Sequence, residues 1–136
     1  MPSQVLETVY NRGILPSILY GILIWGNSTS ISELNKIHIR AARFVKKISK
    51  KRIRDEKVLE IAKWKSIEFY YKRAVACKSH KIYFENCSPR LTDLICKNNT
   101  RRTRNELKLE LPRYKYAIFK KSFSYRAPNV WNNFAK

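Results

Sequence analysis

Residues 30–54 read SISELNKIHIRAARFVKKISKKRIR, with apolar and basic residues interleaved at helical spacing. Wound at 100° per residue, it divides into two faces. Leu34, Ile37, Ala41, Phe44, Val45 and Ile48 fall in one sector. Lys36, Arg40, Arg43, Lys47, Lys50, Lys51 and Arg54 fall in the opposite one, with no acidic residue among them. The pattern predicts one amphipathic helix, its apolar seam on a core and its cationic ridge turned outward. Ser30 and Glu33, spaced S-x-x-E, predict a capping box at its start. A solvated helix face normally mixes both signs, and like charges at i,i+4 destabilise a helix by roughly 0.2–0.5 kcal/mol per pair. A ridge of one sign therefore points to a polyanion rather than to water alone.

The charge of the rest of the chain agrees. The formal net charge is +19 over 136 residues, and it is unevenly placed. Residues 1–35 carry Arg12 against Glu7 and Glu33, whereas residues 36–136 carry 28 Lys and Arg against 8 Asp and Glu. A nearly neutral, apolar front thus precedes a strongly basic remainder, the distribution expected of a partner to nucleic acid or to an anionic membrane surface. At 44% hydrophobic residues the chain can bury a core, which excludes a disordered basic tail. Cys77, Cys87 and Cys96 are an odd number without a secretory signal and read as reduced thiols, placing the protein inside the cell, in nucleus or cytoplasm.

Outward from the central stretch, helices account for most of the chain. Residues 4–25 form an apolar front that a helix buries on several sides or turns toward a neighbour outside this chain, with Pro16 kinking or restarting it. The run from Ile14 to Trp25 is too short to span a bilayer. Residues 55–64 predict a short helix with Asp55 as N-cap, and residues 66–84 a longer one capped by Ser66. Ser88-Pro89 opens a brief helix to about Ile95. The period then changes: Leu107 to Leu111 alternates apolar with polar, and a small β-ribbon is expected near residues 107–125. Ala127-Pro128 starts a final helix. The expected class is mainly α, with a helical region over 1–97 and a basic region of short strands and a terminal helix over 98–136, one continuous unit.

Few residues offer catalytic chemistry. A two-metal site needs converging carboxylates, and Asp55-Glu56 is explained by a helix start. Cys77, His80, Cys87 and Cys96 match no common zinc spacing. Gly13, Gly21 and Gly26 make no phosphate-cradling loop. Neither a catalytic residue, a metal ligand nor a cofactor is therefore assigned. What stands out is cation with aromatic. Arg101, Arg102 and Arg104 cluster before the alternating segment, and Arg113, Lys115, Lys120, Lys121 and Arg126 interleave with Tyr114, Tyr116 and Tyr125. Cations neutralise phosphates while rings stack on bases or sugars.

The segments ILPSILYGILIWGN (14–27) and LNKIHIRAARFVKKI (34–48) resemble the region after the palm in reverse transcriptases of jockey-like non-LTR (LINE-type) retrotransposons. So does TRRTRNELKLELPRYKYAIFKKSFSYRAPNVWNNF (100–134): a T-R stretch, then L-P-R, K-S-F-x-Y-R and a small-Pro-x-x-W-N end. The resemblance covers essentially residues 5–134. The family's metal-binding F/Y-A-D-D motif does not occur here, and its C-terminal Cys/His knuckle is not matched. The resemblance therefore implies a thumb-like piece of an RNA-directed DNA polymerase that grips an RNA/DNA duplex but has no catalytic aspartates of its own. Its partners would be RNA, DNA and the missing fingers and palm. The competing expectations are a stand-alone basic adaptor, binding proteins or an anionic membrane surface, and a small zinc enzyme.

Overall fold

In the computed structural model, residues 2–49, 53–85, 89–93, 95 and 108–134 are described. The chain is mainly α-helical and falls into two compact units, 1–71 and 72–136, with the boundary inside one helix.

The first unit opens with α1 (Ser3–Val9), a π-helical turn (Tyr10–Ile14), α2 (Leu15–Leu19) and α3 (Ile22–Trp25). Helical backbone runs on from α1 through the π turn into α2, so the expected helix over 4–25 is broken once. Pro16 follows the π turn inside this run and brings no N–H to the ladder. Gly21, at φ +66°, makes the break, a conformation that disfavours any side chain. Gly26 answers a different need: a Cβ there would collide with the Ile22 carbonyl and the Tyr71 ring.

The helix of the central stretch, α4, spans Ser30–Val45 and stops well short of Arg54. Its end is a Schellman turn. The Ile48 N–H bonds the Arg43 carbonyl at 2.9 Å and the Lys47 N–H bonds that of Phe44 at 3.3 Å, with Lys47 left-handed at φ 53°. Helix α5 (Asp55–Ala62) ends the same way, with Lys63 at φ 58° and the Trp64 N–H on the Leu59 carbonyl at 2.9 Å. Neither turn has the glycine that usually marks one, so no stop signal interrupts the sequence pattern. The expected capping box does not form either: Thr29 precedes the helix, Ser30 is its first residue, and no side chain caps the end. Asp55 is likewise the first residue of α5 rather than its cap, because its carboxylate is turned to Arg43.

The face buried by α4 also differs from expectation. His38, Ile39, Ala42, Arg43 and Val45 are buried, while Ile37 and Phe44 are exposed. Ile39 and Ala42 pack with Val58 and Ala62 of α5, flanked by Ile48, Ile53, Leu59 and Trp64. The helix is rotated so that two large apolar residues share the outer side with Lys36 and Arg40.

Helix α6 (Ile67–Phe84) runs across the unit boundary. Ser66 caps it as the sequence predicts, its Oγ accepting from the Phe69 N–H at 3.2 Å. Ile67, Tyr71, Val75, Ser79 and Ile82 form its buried stripe, four, four, four and three residues apart.

In the second unit, α7 (Pro89–Thr92) and α8 (Phe123–Phe134) follow. The expected β-ribbon is not found among the described residues of 107–125. Residues 117–121 form a 3₁₀ turn instead, and α8 begins at Phe123, carrying Pro128 in its interior. The alternation around Leu109 has a different cause. Leu109 is buried between exposed Lys108 and Glu110. Its backbone is paired by a side chain: Asn132 Oδ1 accepts from the Leu109 N–H at 3.0 Å, and Asn132 Nδ2 donates to the Leu109 carbonyl at 2.9 Å. One amide takes both backbone groups of Leu109, whose isolated β-bridge is the extent of β structure among the described residues.

Candidate nucleic-acid interface

The structure sorts the cations of the central stretch into two kinds. Lys36 and Arg40 project from the outer face of α4, Lys47 from the turn that ends it, and Arg54 from the residue preceding α5. None of these four forms an ion pair among the described residues. Glu33 stands at the N-terminal end of the same outer face. Lys50 and Lys51 lie outside the described residues.

Arg43 belongs to the interior. It is 8% exposed, and its guanidinium donates to the Ile53 carbonyl at 2.6 Å, to Asp55 Oδ1 at 2.7 Å and to the Ser49 carbonyl at 3.4 Å. It fastens Ser49, Ile53 and Asp55 to α4. Helical spacing placed it on the ridge; the early end of α4 and the rotated face take it off. Asp55, downstream of the helix, is the clue the helical pattern could not supply.

Behind α4 lies a polar network that sequence reasoning did not anticipate. His38 is fully buried, with Nε2 2.9 Å from the Lys65 carbonyl and Nδ1 2.6 Å from the Tyr10 hydroxyl. A carbonyl only accepts, so Nε2 carries the proton and Nδ1 accepts from Tyr10. Burial lowers the His38 pKa, partly opposed by the Lys65 carbonyl. Burial also pushes the Tyr10 hydroxyl up to about 12, with Tyr70 adding to the effect. Tyr10 stacks on Trp64 at 4.7 Å and 9°. The Trp64 indole donates to Glu7 Oε1 at 3.1 Å, and Lys46 donates to Glu7 Oε2 at 2.8 Å. These bonds, the one from Lys46 first, hold the Glu7 pKa below its ordinary value. The network ties α1, the end of α4 and the connection after α5 together. Its groups face one another, which suits support rather than contact with a substrate.

In the second unit the cations and rings of 113–126 gather on one short segment. Arg113, Lys115, Lys120 and Lys121 are exposed, and Tyr116 is 66% exposed. The Lys120 ammonium lies 4.9 Å from the Tyr114 ring centroid, and Tyr114, hydrogen-bonding that ammonium, raises its pKa. Lys115 lies 5.7 Å from the Tyr116 ring. Tyr125 meets Tyr114 edge-on at 5.3 Å, and Arg126, half-buried, donates to the Lys120 carbonyl at 3.4 Å. Arg101, Arg102 and Arg104 lie outside the described residues.

Among the described residues no three His, Cys, Asp or Glu side chains come together as a metal ion requires. Cys77 is exposed, His80 rests against Phe84 at 4.6 Å and Trp131 at 6.1 Å, and Cys87 and Cys96 lie outside the described residues. No helix among the described residues is long and apolar enough to cross a membrane. Comparison of the chain with protein-family models, curated proteins and solved structures returns no match.

Proposed function

We propose that this chain binds nucleic acid through phosphate contacts, as the region after the palm of a non-LTR retrotransposon reverse transcriptase, and performs no polymerisation itself. The observation that carries the reading is the line Lys36, Arg40 and Lys47 on the outside of a packed unit, without ion-pair partners among the described residues. Exposed cations of one sign raise the local concentration of a polyanion and release its counterions on contact. Arg54 and the segment Arg113, Lys115, Lys120, Lys121 and Arg126 extend the same chemistry, each within its own unit. The sequence resemblance names an RNA/DNA duplex as the polyanion and fingers and palm as the protein partner. Such a role belongs in the nucleus or cytoplasm.

Duplex binding measured against salt tests this. If about five cations meet phosphates, the log–log slope is near −4 to −5. Reversing Lys36, Arg40 and Lys47 to Glu should weaken binding and flatten the slope; unchanged affinity and slope would overturn the surface. Nucleotide incorporation by the purified chain would overturn the non-catalytic assignment.

A second reading draws on the apolar front, where Tyr20 is 86% and Ile24 88% exposed. Side chains so placed suit a protein neighbour or a membrane surface. Co-flotation with anionic vesicles, in the absence of a gel shift with nucleic acid, would favour it.

A further inference from the structure

Phe44 is out of place as a core residue and well placed as something else. The apolar pattern of α4 assigns it to the seam, yet it is 70% exposed. Arg40 lies one helical turn before it, and Lys47 lies in the turn that ends α4 three residues after it. Together with Leu6, Arg43, Ile48 and Ser49, these residues line an open groove of about 680 Å³. Leu6, Phe44 and Ile48 give the lining its apolar part, and Arg40 and Lys47, both exposed, give it positive charge. Arg43 lines it too, but its guanidinium is engaged by Ile53 and Asp55.

We propose that Phe44 is a stacking platform for an unpaired base, and that Arg40 and Lys47 hold the phosphates flanking that base. The inference rests on the nucleic-acid reading above and narrows it from duplex to single strand. Within a duplex the ring faces of the bases are covered by their neighbours, so an exposed phenyl ring finds a partner only where a base is unstacked. A flat ring between two cations matches the alternation of base and phosphate along a single strand. The charge of the lining selects the occupant: both free cations call for an anionic ligand, and the apolar part calls for one with a flat face. A nucleotide has both. An acidic peptide with an aliphatic anchor is the competing occupant, and it differs in one respect: it needs the apolar volume of Phe44 but not its π-face.

The test uses the full chain and three fluorescent oligonucleotides: a blunt duplex, the same duplex with a single-stranded tail, and the tailed duplex with abasic sites in the tail. The tailed duplex should bind roughly 5- to 100-fold tighter than the blunt one, the range given by stacking of one base on an aromatic side chain. The abasic tail should lose most of that gain. Phe44→Ala and Phe44→Leu should lose it as well, whereas Phe44→Trp should retain it. Equal affinity for intact and abasic tails in the wild-type chain overturns the proposal, and that comparison does not depend on any variant folding. Retention of the gain by Phe44→Leu overturns it, since an aliphatic side chain offers no face for a base to stack on. If the blunt duplex binds with a steep salt slope and the tail adds nothing, only the stacking platform fails. If none of the three oligonucleotides binds, the nucleic-acid reading itself fails.

Discussion

The interior behind α4 and the segment 113–126 use the same materials, aromatic rings beside basic or titratable groups, and turn them in opposite directions. Around α4, Tyr10 stacks on Trp64 with His38 tilted against both, and the Tyr10 hydroxyl, the imidazole and the indole N–H each find a partner. Along 113–121, Tyr114, Tyr116, Lys115 and Lys120 pair ring with ammonium at the surface. The first arrangement excludes water and fixes three chain segments. The second leaves ring faces and ammonium groups where a ligand can reach them. The difference teaches that cation-and-ring composition does not distinguish support from contact; the partner of each polar atom does.

The comparison breaks most visibly at its largest rings. Trp64→Ala removes the Tyr10 stack and a Glu7 hydrogen bond, and should destabilise the first unit by about 3 kcal/mol in denaturant unfolding. Tyr116→Ala should stay within about 0.5 kcal/mol, as expected of an exposed side chain. Comparable losses from both would mean that the tail is as structural as the interior.

The two arginines of α4 sharpen the contrast on a single helix. Arg43→Ala should cost about 1.5–3 kcal/mol, mainly through the unsatisfied Ile53 carbonyl, because Asp55 is well exposed and its share of the pair is screened. Arg40→Ala should leave the unfolding midpoint almost unchanged and weaken nucleic-acid binding.

Acid probes the interior through one group. The folded-state pKa of His38 lies below its ordinary 6.5 because burial opposes the charged ring. The unfolded chain therefore takes up the proton first. The contribution of neutral His38 to stability is complete above pH 6.5 and declines as pH falls from there through the folded-state pKa. Thermal melts between pH 7.5 and 5 should show this decline, and His38→Gln should flatten it. The corresponding loss from Glu7 sets in lower, below its ordinary 4.5.

The smallest expected effect separates stability from binding at one residue. Lys47 holds a left-handed conformation that glycine adopts without strain. Lys47→Gly should stabilise the first unit by up to about 1 kcal/mol and still weaken nucleic-acid binding, since it removes a cation of the groove. A gain in both would take Lys47 out of the interface.

Much of the helical layout was legible. Periodicity predicts helices over 30–54, 55–64 and 66–84, helices stand at 30–45, 55–62 and 67–84, and Ser66 announces its cap. The limits were local. Lys47 and Lys63 terminate helices in a conformation their side chains do not advertise, so the ridge was drawn through to Arg54. Arg43 lies only about 20° from Lys36 in helical phase, at the edge of the ridge, and only the return of the chain at Asp55 reveals its partner. Leu109 alternates like a strand residue, yet both its backbone groups are taken by the side chain of Asn132, distant in sequence. Lys36 and Arg40 were legible as exposed cations. Phe44 was not, since an apolar residue near the edge of a seam reads as core until the rotation of the helix is known.

The π turn at Tyr10–Ile14 carries a consequence for chain length. Tyr10 and Leu15 are both buried, five residues apart, and the Leu15 N–H reaches the Tyr10 carbonyl across that span. An ordinary α-turn would make the same bond with one residue fewer. Gly13 has nothing within 4 Å of where its side chain would be, and Asn11, Arg12 and Ile14 are exposed. The turn therefore holds one residue that the spacing of Tyr10 and Leu15 does not require. Deleting Gly13 should leave Tyr10 over His38 and Leu15 in its site and lower the melting temperature only through Pro16, whose ring then meets the carbonyl four residues back; adding Pro16→Ala to the deletion should restore it. The same deletion within α4 would turn every later side chain by 100° and unseat the core. The protein is thus elastic in length at one turn near its start and rigid in length along the helix that turn supports.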